Sequence, residues 1–316
     1  MKRMVLAAMA LLLILPAGCR KEENPAGQAR KLRVVATLFP LYDFVRVVGG
    51  DRVDVRLLLP PGVEPHNFEP RPEDVVQVNR ADLFVYTNRY MEPWAAGFLK
   101  GVEKKDLEAV DASTGLAFIP ASGRDEDDHD GGGHDHHHGE GMDPHVWLSI
   151  PNAEKMVSTV TGALVRKDPA GSAYYRKNGE AYLARLAELD AGFRKGLSGC
   201  RQRLFLHGGH YAFGYLAKEY GLTYVSAYAL AADAEPTPRK LMELVDRVKQ
   251  NGIRYIFYEE LLSPRVAEII ARETGTSLLK LHGIHNVSRE ELAGGATYVS
   301  LMEQNLKNLR TGLQCP

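Results

Sequence analysis

Histidines dominate the chemistry that this chain of 316 residues could perform, because it contains eleven of them. Five lie in a stretch rich in Gly and Asp and are His129, His134, His136, His137 and His138. The other six are His66, His145, His207, His210, His282 and His285. Imidazole nitrogen binds Zn²⁺, Cu²⁺ and Ni²⁺ well and is a poor ligand for Ca²⁺ or Mg²⁺. A lone histidine is more often an ordinary hydrogen-bonded side chain, so the number and placement of the six indicate a transition-metal site.

The elements that must position these histidines are short strands alternating with helices. Helical patterns lie at 72–80, 239–250 and 264–274. Short β-branched or aromatic runs followed by turn residues predict strands at 33–37, 53–59, 82–87, 203–207, 223–228, 253–258 and 277–281. The alternation predicts parallel sheets covered by helices, and such sheets bind ligands beyond the carboxyl ends of their strands. The six histidines follow or close predicted strands or lie in turns, so they can converge on one crevice.

The middle of the chain differs, because residues 151–199 carry no strand signal. After a break at Asp168-Pro169, one apolar stripe at helical spacing comprises Tyr182, Leu186, Leu189, Phe193 and Leu197. We therefore predict an α/β fold of two lobes, each a parallel β-sheet flanked by helices, joined by one long rigid α-helix with the metal site in the cleft between the lobes. The predicted ranges are 32–151 for the N-terminal lobe, 152–199 for the linker helices and 200–316 for the C-terminal lobe.

The N-terminus predicts export from the cytoplasm. Lys2 and Arg3 precede an apolar run at 4–15 that is too short to span a bilayer and is typical of a signal peptide. The following "LPAGC" resembles a bacterial lipobox, which predicts a signal peptide at 1–18 and a lipidated Cys19. A polar tether at 19–31 would follow, and the protein would lie outside the cytoplasm, anchored to a membrane by its lipid. An ordinary signal peptide with a chance cysteine is the alternative.

Two further cysteines and the net charge limit the remaining possibilities. An oxidising compartment and an even count predict one disulfide between Cys200 and Cys315, with two free buried thiols as the alternative. The formal net charge of −1 gives no indication of a nucleic-acid partner.

Several motifs together resemble one protein family. The opening reads "TLFPLYDFVRVVGGDRVDVRLLLPPGVEPHNFEPRPEDV", and "DPHVWLS", "HYAFGYLAKEYGL", "AEPTPRKL", "FYEELLSPRVAEIIARETG" and "YVSLMEQNLKNL" follow in order. The sequence is similar to the cluster A-I metal-specific solute-binding proteins of bacterial ABC importers, which serve zinc and manganese. The resemblance covers nearly the whole chain after the signal peptide and is closest to the zinc-binding ZnuA-like subgroup.

This resemblance implies specific metal ligands. The histidines of "EPHNFEP", "DPHVWLS" and "HYAFGY" are His66, His145 and His210, which the family pattern makes ligands of Zn²⁺. Manganese-binding members commonly have Glu at the third position, and nitrogen ligands favour Zn²⁺ over the harder Mn²⁺. The resemblance also implies that Glu259 accepts a hydrogen bond from a ligating histidine. His207 is expected as a supporting residue near the ligands, and less so as a ligand itself.

The chain departs from the family pattern at two places. The family usually has Asp after the third-ligand histidine, where this chain has Tyr211. The family also places an Asp ligand beyond the last strand, where this chain reads "LHGIH". His282 occupies the aspartate's position by alignment and is the preferred fourth ligand, with His285 as its competitor and a water as a further possibility.

The resemblance implies a function in import. We expect a monomer that captures Zn²⁺ and hands it to an ABC permease and its ATPase. The segment at 121–141, with its five histidines, is expected to be a loop that gathers zinc weakly near the main site, although a solvated linker without that role has the same composition. A manganese importer, a zinc hydrolase and a metal-buffering adhesin are the alternatives. No H-E-x-x-H or G-x-S-x-G motif supports an enzyme.

Overall fold

Strands and helices alternate along the chain in a computed structural model that describes residues 30–121, 141–230 and 235–316. The strands in these ranges are Leu32–Ala36 (β1), Val53–Leu57 (β2), Leu83–Tyr86 (β3), Glu108–Asp111 (β4), Leu204–His207 (β5), Thr223–Ser226 (β6), Tyr255–Tyr258 (β7) and Ser277–Lys280 (β8). The α-helices are Phe39–Gly49 (α1), Pro72–Val78 (α2), Ala95–Lys100 (α3), Ile150–Lys167 (α4), Ser172–Leu197 (α5), Gly214–Glu219 (α6), Pro238–Asn251 (α7), Arg265–Thr274 (α8), Arg289–Ala293 (α9) and Tyr298–Gly312 (α10). The predicted alternation is therefore present.

Two four-stranded sheets share one topology. Their strand orders are β2-β1-β3-β4 and β6-β5-β7-β8, and all neighbouring strands are parallel. The carboxyl ends of parallel strands meet at one edge of each sheet, where ligands bind in open α/β folds. The two-lobe α/β prediction is confirmed, and each half offers one such edge to a shared cleft.

The strand missing from the sequence prediction is β4. Its sequence, Glu-Ala-Val-Asp, has two carboxylates among four residues and lies at the edge of its sheet beside β3. Only Val110 of this strand is buried. A charged edge strand with one buried side chain has no apolar run, so periodicity could not predict it.

The long helix α5 lies between the two sheets in chain order. α4 ends at Lys167, and the Asp168 side chain accepts a hydrogen bond from Gly171 N–H at the start of the next helix. The predicted apolar stripe from Tyr182 to Leu197 is buried on α5, which packs against α4, α1 and α10. A long helix connecting the halves, as predicted, is confirmed.

One hydrophobic core continues from one sheet to the other. It includes Phe44 beside the first sheet, Phe193 on α5 and Phe205 on β5, all fully or almost fully buried. Residues 31–316 accordingly form one compact unit, and the division at 151 and 199 stays a prediction. Buried Asp43 on α1 ties the halves further, because its carboxylate accepts hydrogen bonds from Tyr298 N–H at 2.9 Å and from Tyr182 O–H at 3.2 Å.

The C-terminus is fastened to the start of the second half. Cys200 and Cys315 form a disulfide, which confirms the predicted pairing. Backbone hydrogen bonds from Arg201 N–H to Gln314 and from Gln202 N–H to Leu313 run beside it. The disulfide closes residues 200–315 into a loop. Such cross-links stabilise a protein mainly by restricting its unfolded chain.

Several sequence predictions fall outside the described residues. These are the signal peptide at 1–18, Cys19, nearly all of the tether at 19–31 and the five histidines between 129 and 138. Within the residues that the structure does describe, no helix has the length and apolar character needed to cross a membrane.

Candidate metal centre

Three of the predicted ligands come together between the two sheets. Nε2 of His145 lies 3.2 Å from Nε2 of His66 and 3.2 Å from Nε2 of His210. The ring centroids of the three are 5.1 to 5.2 Å apart. Tetrahedral zinc with Zn–N of 2.0–2.1 Å separates its ligand atoms by about 3.3 Å. Both distances from His145 Nε2 match that spacing, and ligand atoms of all three histidines lie within 4.8 Å of one another.

His66 reaches the centre from the segment that follows β2. This segment continues the sheet for two residues, because Leu58 and Leu59 donate backbone hydrogen bonds to Ala36 and Thr37. It then turns at Pro60-Pro61-Gly62, where Gly62 has φ +84°. This half-buried histidine is the most accessible of the three clustered histidines.

His145 is placed by the residues that begin at 141. Met142 pairs with Pro120 in an antiparallel bridge. Asn88, after β3, then fixes the chain by donating its side-chain N–H to Pro144 C=O at 2.9 Å. The histidine is fully buried and packs against the Trp147 ring at 5.4 Å between centroids.

His210 follows β5 through two glycines that the packing requires. A Cβ on Gly208 would lie 2.5 Å from the Ala267 side chain, and a Cβ on Gly209 would overlap the Glu259 carboxylate. The close approach brings that carboxylate onto the turn, where Glu259 Oε1 accepts a hydrogen bond from His210 N–H at 2.8 Å. The "HGGH" sequence is therefore a tight turn that holds His210 against a buried acid.

A carboxylate lies against Nδ1 of two of the three imidazoles. Asp143 Oδ1 is 2.8 Å from His145 Nδ1 and also accepts from His145 N–H, and Glu259 Oε2 is 2.6 Å from His210 Nδ1. Such partners hold the proton on Nδ1 and leave Nε2 free for a metal. The structure thus places Glu259 where the sequence expectation put it. Asp143 was missed, although its place two residues before His145 is typical of an Asp that binds nearby backbone.

The turn after β8 divides the two candidate fourth ligands. His285 is fully buried, with its ring centroid 5.4 Å from that of His210, and one of its nitrogens forms a second cluster with His210 and Glu259. His282 instead lies between carboxylates, with Nδ1 3.2 Å from Glu260 and Nε2 3.5 Å from Glu291. The turn thus places His285 beside His210 and His282 between carboxylates, and the preference for His282 from alignment stays a prediction.

His207 lies beside the centre without joining it. It is fully buried, and its ring packs against Phe213 and Tyr224 at 5.0 and 6.4 Å between centroids. Neither of its ring nitrogens has a hydrogen-bond partner among the described residues. Tyr211, where the family pattern has Asp, packs against Tyr224 with ring centroids 5.0 Å apart.

Burial and neighbouring charges set the protonation of the site. Burial, with the charge of His210 nearby, lowers the pKa of His66 to about 3, and the same causes put the pKa of His145 well below its usual value. Burial raises the pKa of the Asp143 carboxyl to about 8. Burial also opposes ionisation of Glu259, but the charge and contact of His210 outweigh it and lower the pKa of Glu259 to about 2.

The charged members of the site lie around His285. Burial alone would lower the pKa of this imidazole, but Glu64, at 3.7 Å, and the charges of Glu260 and Glu259 raise it to about 9. Burial alone would raise the pKa of Glu64, but the contact with His285 and the charges of His285, His66 and His210 together lower it to about 2. The site without metal therefore combines neutral imidazoles at His66 and His145 with an imidazolium at His285 that is held by carboxylates.

Comparison with known proteins gives consistent matches over most of the chain. The family model described as zinc-uptake complex component A, periplasmic, matches residues 34–312. The high-affinity zinc uptake system protein ZnuA of Bacillus subtilis is 38% identical over 309 residues, which cover 98% of this chain and 96% of that protein. The zinc-binding lipoprotein AdcA of Streptococcus pneumoniae is 36% identical over 312 residues. This chain spans only 61% of the length of AdcA.

Solved structures give the same result. The crystal structure of the metal-dependent lipoprotein YcdH from Bacillus subtilis has a TM-score of 0.76 at 37% identity and covers 90% of this chain and 99% of its own. The Zn(II)-bound ZnuA-like domain of Streptococcus pneumoniae AdcA has a TM-score of 0.76 at 35% identity, with coverage of 90% and 99%.

Proposed function

We propose, from the premise that this chain belongs to the family of periplasmic A components of zinc-uptake complexes, that it captures Zn²⁺ outside the cytoplasm and delivers it to an ABC permease and its ATPase. The observation that carries the proposal is the convergence of His66, His145 and His210, in which the Nε2 atoms of His66 and His210 each lie 3.2 Å from Nε2 of His145. An all-nitrogen set favours zinc over manganese, which prefers oxygen ligands.

The residues of the two halves have complementary roles in this mechanism. The first half supplies His66 and His145, the second supplies His210, and the ion is bound between them. Asp143 and Glu259 orient one ligand in each half by holding its Nδ1. Because the imidazoles at 66 and 145 are neutral without metal, capture requires no deprotonation of either ring. The half-buried His66 is the ligand that an arriving ion meets first.

The proposal is tested by replacing all three ligands with alanine in the full chain. The variant should lose zinc affinity by more than about a thousandfold, because these ligands share most of a binding free energy of about 10–16 kcal/mol. Competition with a chromophoric chelator measures the affinity, and thermal unfolding without zinc checks that the variant is folded. Zinc binding as tight as in the parent would exclude this centre as the cargo site.

Transport and the absence of catalysis need separate tests. The parent chain should restore growth in zinc-limited medium to a bacterium lacking its own zinc-binding protein, and the triple variant should not. Three imidazoles with an open position also occur in zinc hydrolases, so we expect zinc-loaded protein to show no turnover of ester or peptide substrates. A measurable turnover that disappears in the triple variant would favour the hydrolase alternative.

The N-terminal lipid and the histidine-rich segment belong to the same proposal. We infer attachment to a membrane through Cys19, and a supply of loosely bound zinc from His129, His134, His136, His137 and His138. Deleting 124–140 should leave one tight site and lower the zinc stoichiometry measured by calorimetry. An unchanged stoichiometry would mean that the segment does not gather zinc.

A further inference from the structure

We propose that Asn286, in the second half of the chain, is a positioning residue for His66, the most accessible of the three proposed zinc ligands. This inference rests on the proposed function and deepens it, because it identifies what holds the one ligand of the three whose ring has no acid beside it. The geometry of the zinc site then depends on the contact between the two halves.

His66 lacks the support that the other two histidines have. In each of those, a carboxylate lies against Nδ1. Among the described residues, no carboxylate forms a hydrogen bond or an ion pair with the His66 ring. Its backbone N–H donates to Glu64, a residue of the same loop, at 3.2 Å. A metal ligand without a partner of its own is oriented only as well as the backbone that carries it, so the loop itself must be held in place.

The His66 loop, residues 60–68, begins where the chain leaves the first sheet. Leu59 N–H donates to Thr37 C=O at 3.2 Å, and beyond it the residues of the loop are mostly exposed or half-buried. Val63 N–H donates to Pro60 C=O at 3.1 Å, which closes a turn within the loop. In the part of the chain that the structure describes, the backbone hydrogen bonds that leave this loop all go to the second half, at 286 and 287.

One buried amide accepts the position of two loop carbonyls. Asn286 is fully buried, and its Nδ2 donates to Pro60 C=O at 2.8 Å and to Val63 C=O at 2.9 Å. Its Oδ1 accepts from Val287 N–H at 2.9 Å, so donors and acceptors match in only one orientation of the amide. Gly62 N–H adds a hydrogen bond to Val287 C=O at 2.9 Å. Both sides of the turn are thus fastened to two consecutive residues of the second half.

The segment at 282–287 is itself held against the first half by other hydrogen bonds. Trp147 Nε1–H donates to Gly283 C=O at 2.8 Å. Phe39 N–H donates to His285 C=O at 3.2 Å. These contacts involve elements other than the His66 loop, so the segment keeps its place when the contacts of the loop are removed.

The backbone before Asn286 has a restricted conformation. Ile284 is fully buried and has φ +61°, a left-handed conformation that β-branched residues rarely adopt. A Cβ on Gly283 would lie 2.5 Å from Cε1 of His285, so this position requires glycine. A segment that is fixed in this way can serve as a reference against which the amide of Asn286 positions His66.

Loss of the amide should affect the ligand more than the fold. Pro60 and Val63 are exposed residues, so water can bind their carbonyls when the donor is removed. The loop would then be free to move, and the His66 ring would have to be ordered again each time an ion binds. The expected consequence is weaker zinc binding by a protein that remains folded.

The test is a double-mutant cycle between positions 286 and 66 in the full chain. Asn286→Ala should weaken zinc binding by about tenfold or more, as replacement of a residue that orients a ligand usually does. In a His66→Ala background the same replacement should change zinc affinity by less than about twofold, because the ligand that it positions is gone. Competition with chromophoric chelators measures all four affinities.

Two controls separate positioning from a general loss of stability. Asn286→Leu keeps the volume of the side chain without its donors and should lose as much affinity as the alanine variant. Asn178→Ala removes another side-chain hydrogen bond, to Val48 C=O at 3.0 Å, and should leave zinc affinity as in the parent. Thermal unfolding without zinc should show the variants folded, and the leucine variant replaces the alanine variant in the cycle if the latter is not.

Three results would overturn the inference. These are equal losses in the two backgrounds, parent affinity in Asn286→Ala, and parent affinity in Asn286→Leu, which would assign the loss to the cavity and not to the donors. None of them would affect the proposed function, which fails only if the triple replacement at 66, 145 and 210 keeps zinc.

Discussion

Two turns in the second half carry nearly the same four residues, His-Gly-Gly-His at 207–210 and His-Gly-Ile-His at 282–285. The first begins at the last residue of β5 and the second follows β8 of the same sheet, and in each the second histidine belongs to a cluster that could hold a metal. Each of the neighbouring acids Glu259 and Glu260 contacts a different one of these two turns. Glu259 contacts the second histidine of the first turn, and Glu260 contacts the first histidine of the other.

This difference in support separates a fixed ligand from an adaptable one. His210 is fixed by Glu259 at both its backbone N–H and its Nδ1. His285 has no such contact at hydrogen-bond distance among the described residues, and its nearest carboxylate, Glu64, lies 3.7 Å away. We infer that the first turn offers a preformed ligand, while the ring of the second turn reorients when the ion arrives.

The largest effect should come from comparing the two members of the first turn. His210→Ala should reduce zinc affinity by more than about a hundredfold, which exceeds the usual cost of losing a residue that only supports a ligand. His207→Ala is the matched control, since this histidine is equally buried but lies outside the cluster. Chelator competition measures both, and equal losses would contradict the comparison.

A somewhat smaller effect is expected for the two neighbouring acids. Glu259→Gln should weaken zinc binding by about 10–100-fold, because His210 loses the carboxylate that orients its ring. Glu260→Gln should change zinc affinity far less, because its partner His282 is not among the proposed ligands. A greater loss for the second variant would instead place His282 at the ion.

Protons released on binding give the next test. At pH 7 the Asp143 carboxyl, with a pKa of about 8, and the His285 ring, with a pKa of about 9, carry protons in the absence of zinc. Zinc requires a neutral imidazole and a carboxylate partner, so binding should release about two protons and tighten as pH rises toward 9. Calorimetry in buffers of different ionisation enthalpy counts them, and His285→Ala should remove one. An unchanged count in that variant would exclude His285 from the ion.

The smallest effect on affinity is expected at Ile284. Ile284→Gly relieves about 1–2 kcal/mol of backbone strain but removes a buried side chain worth about 2–5 kcal/mol. The unfolding free energy without zinc should therefore fall by about 1–3 kcal/mol in denaturant titration, while zinc affinity changes little. A more stable variant would mean that strain, and not burial, dominates this turn.

The sequence predicted the fold and the three converging histidines because periodicity and short motifs determine them. Seven of the strands and the buried face of α5 have apolar patterns, whereas β4 has none. The choice between His282 and His285 could not be read in the same way, because it depends on the left-handed backbone at Ile284 and on bonds to Trp147. The repeated H-G-x-H pattern was the one available signal, since by analogy with His210 it points to the second histidine.

The attachment of the 282–287 segment to the first half has a consequence for unloading. If the halves separate, the hydrogen bonds from Trp147 and Asn286 keep His285 beside His66 and His145, and only His210 is drawn away. A metal ion that loses one ligating nitrogen and retains three has a single open coordination position. An incoming group on the permease could occupy that face before the next bond breaks, so the cargo would pass by stepwise ligand exchange without ever being fully rehydrated.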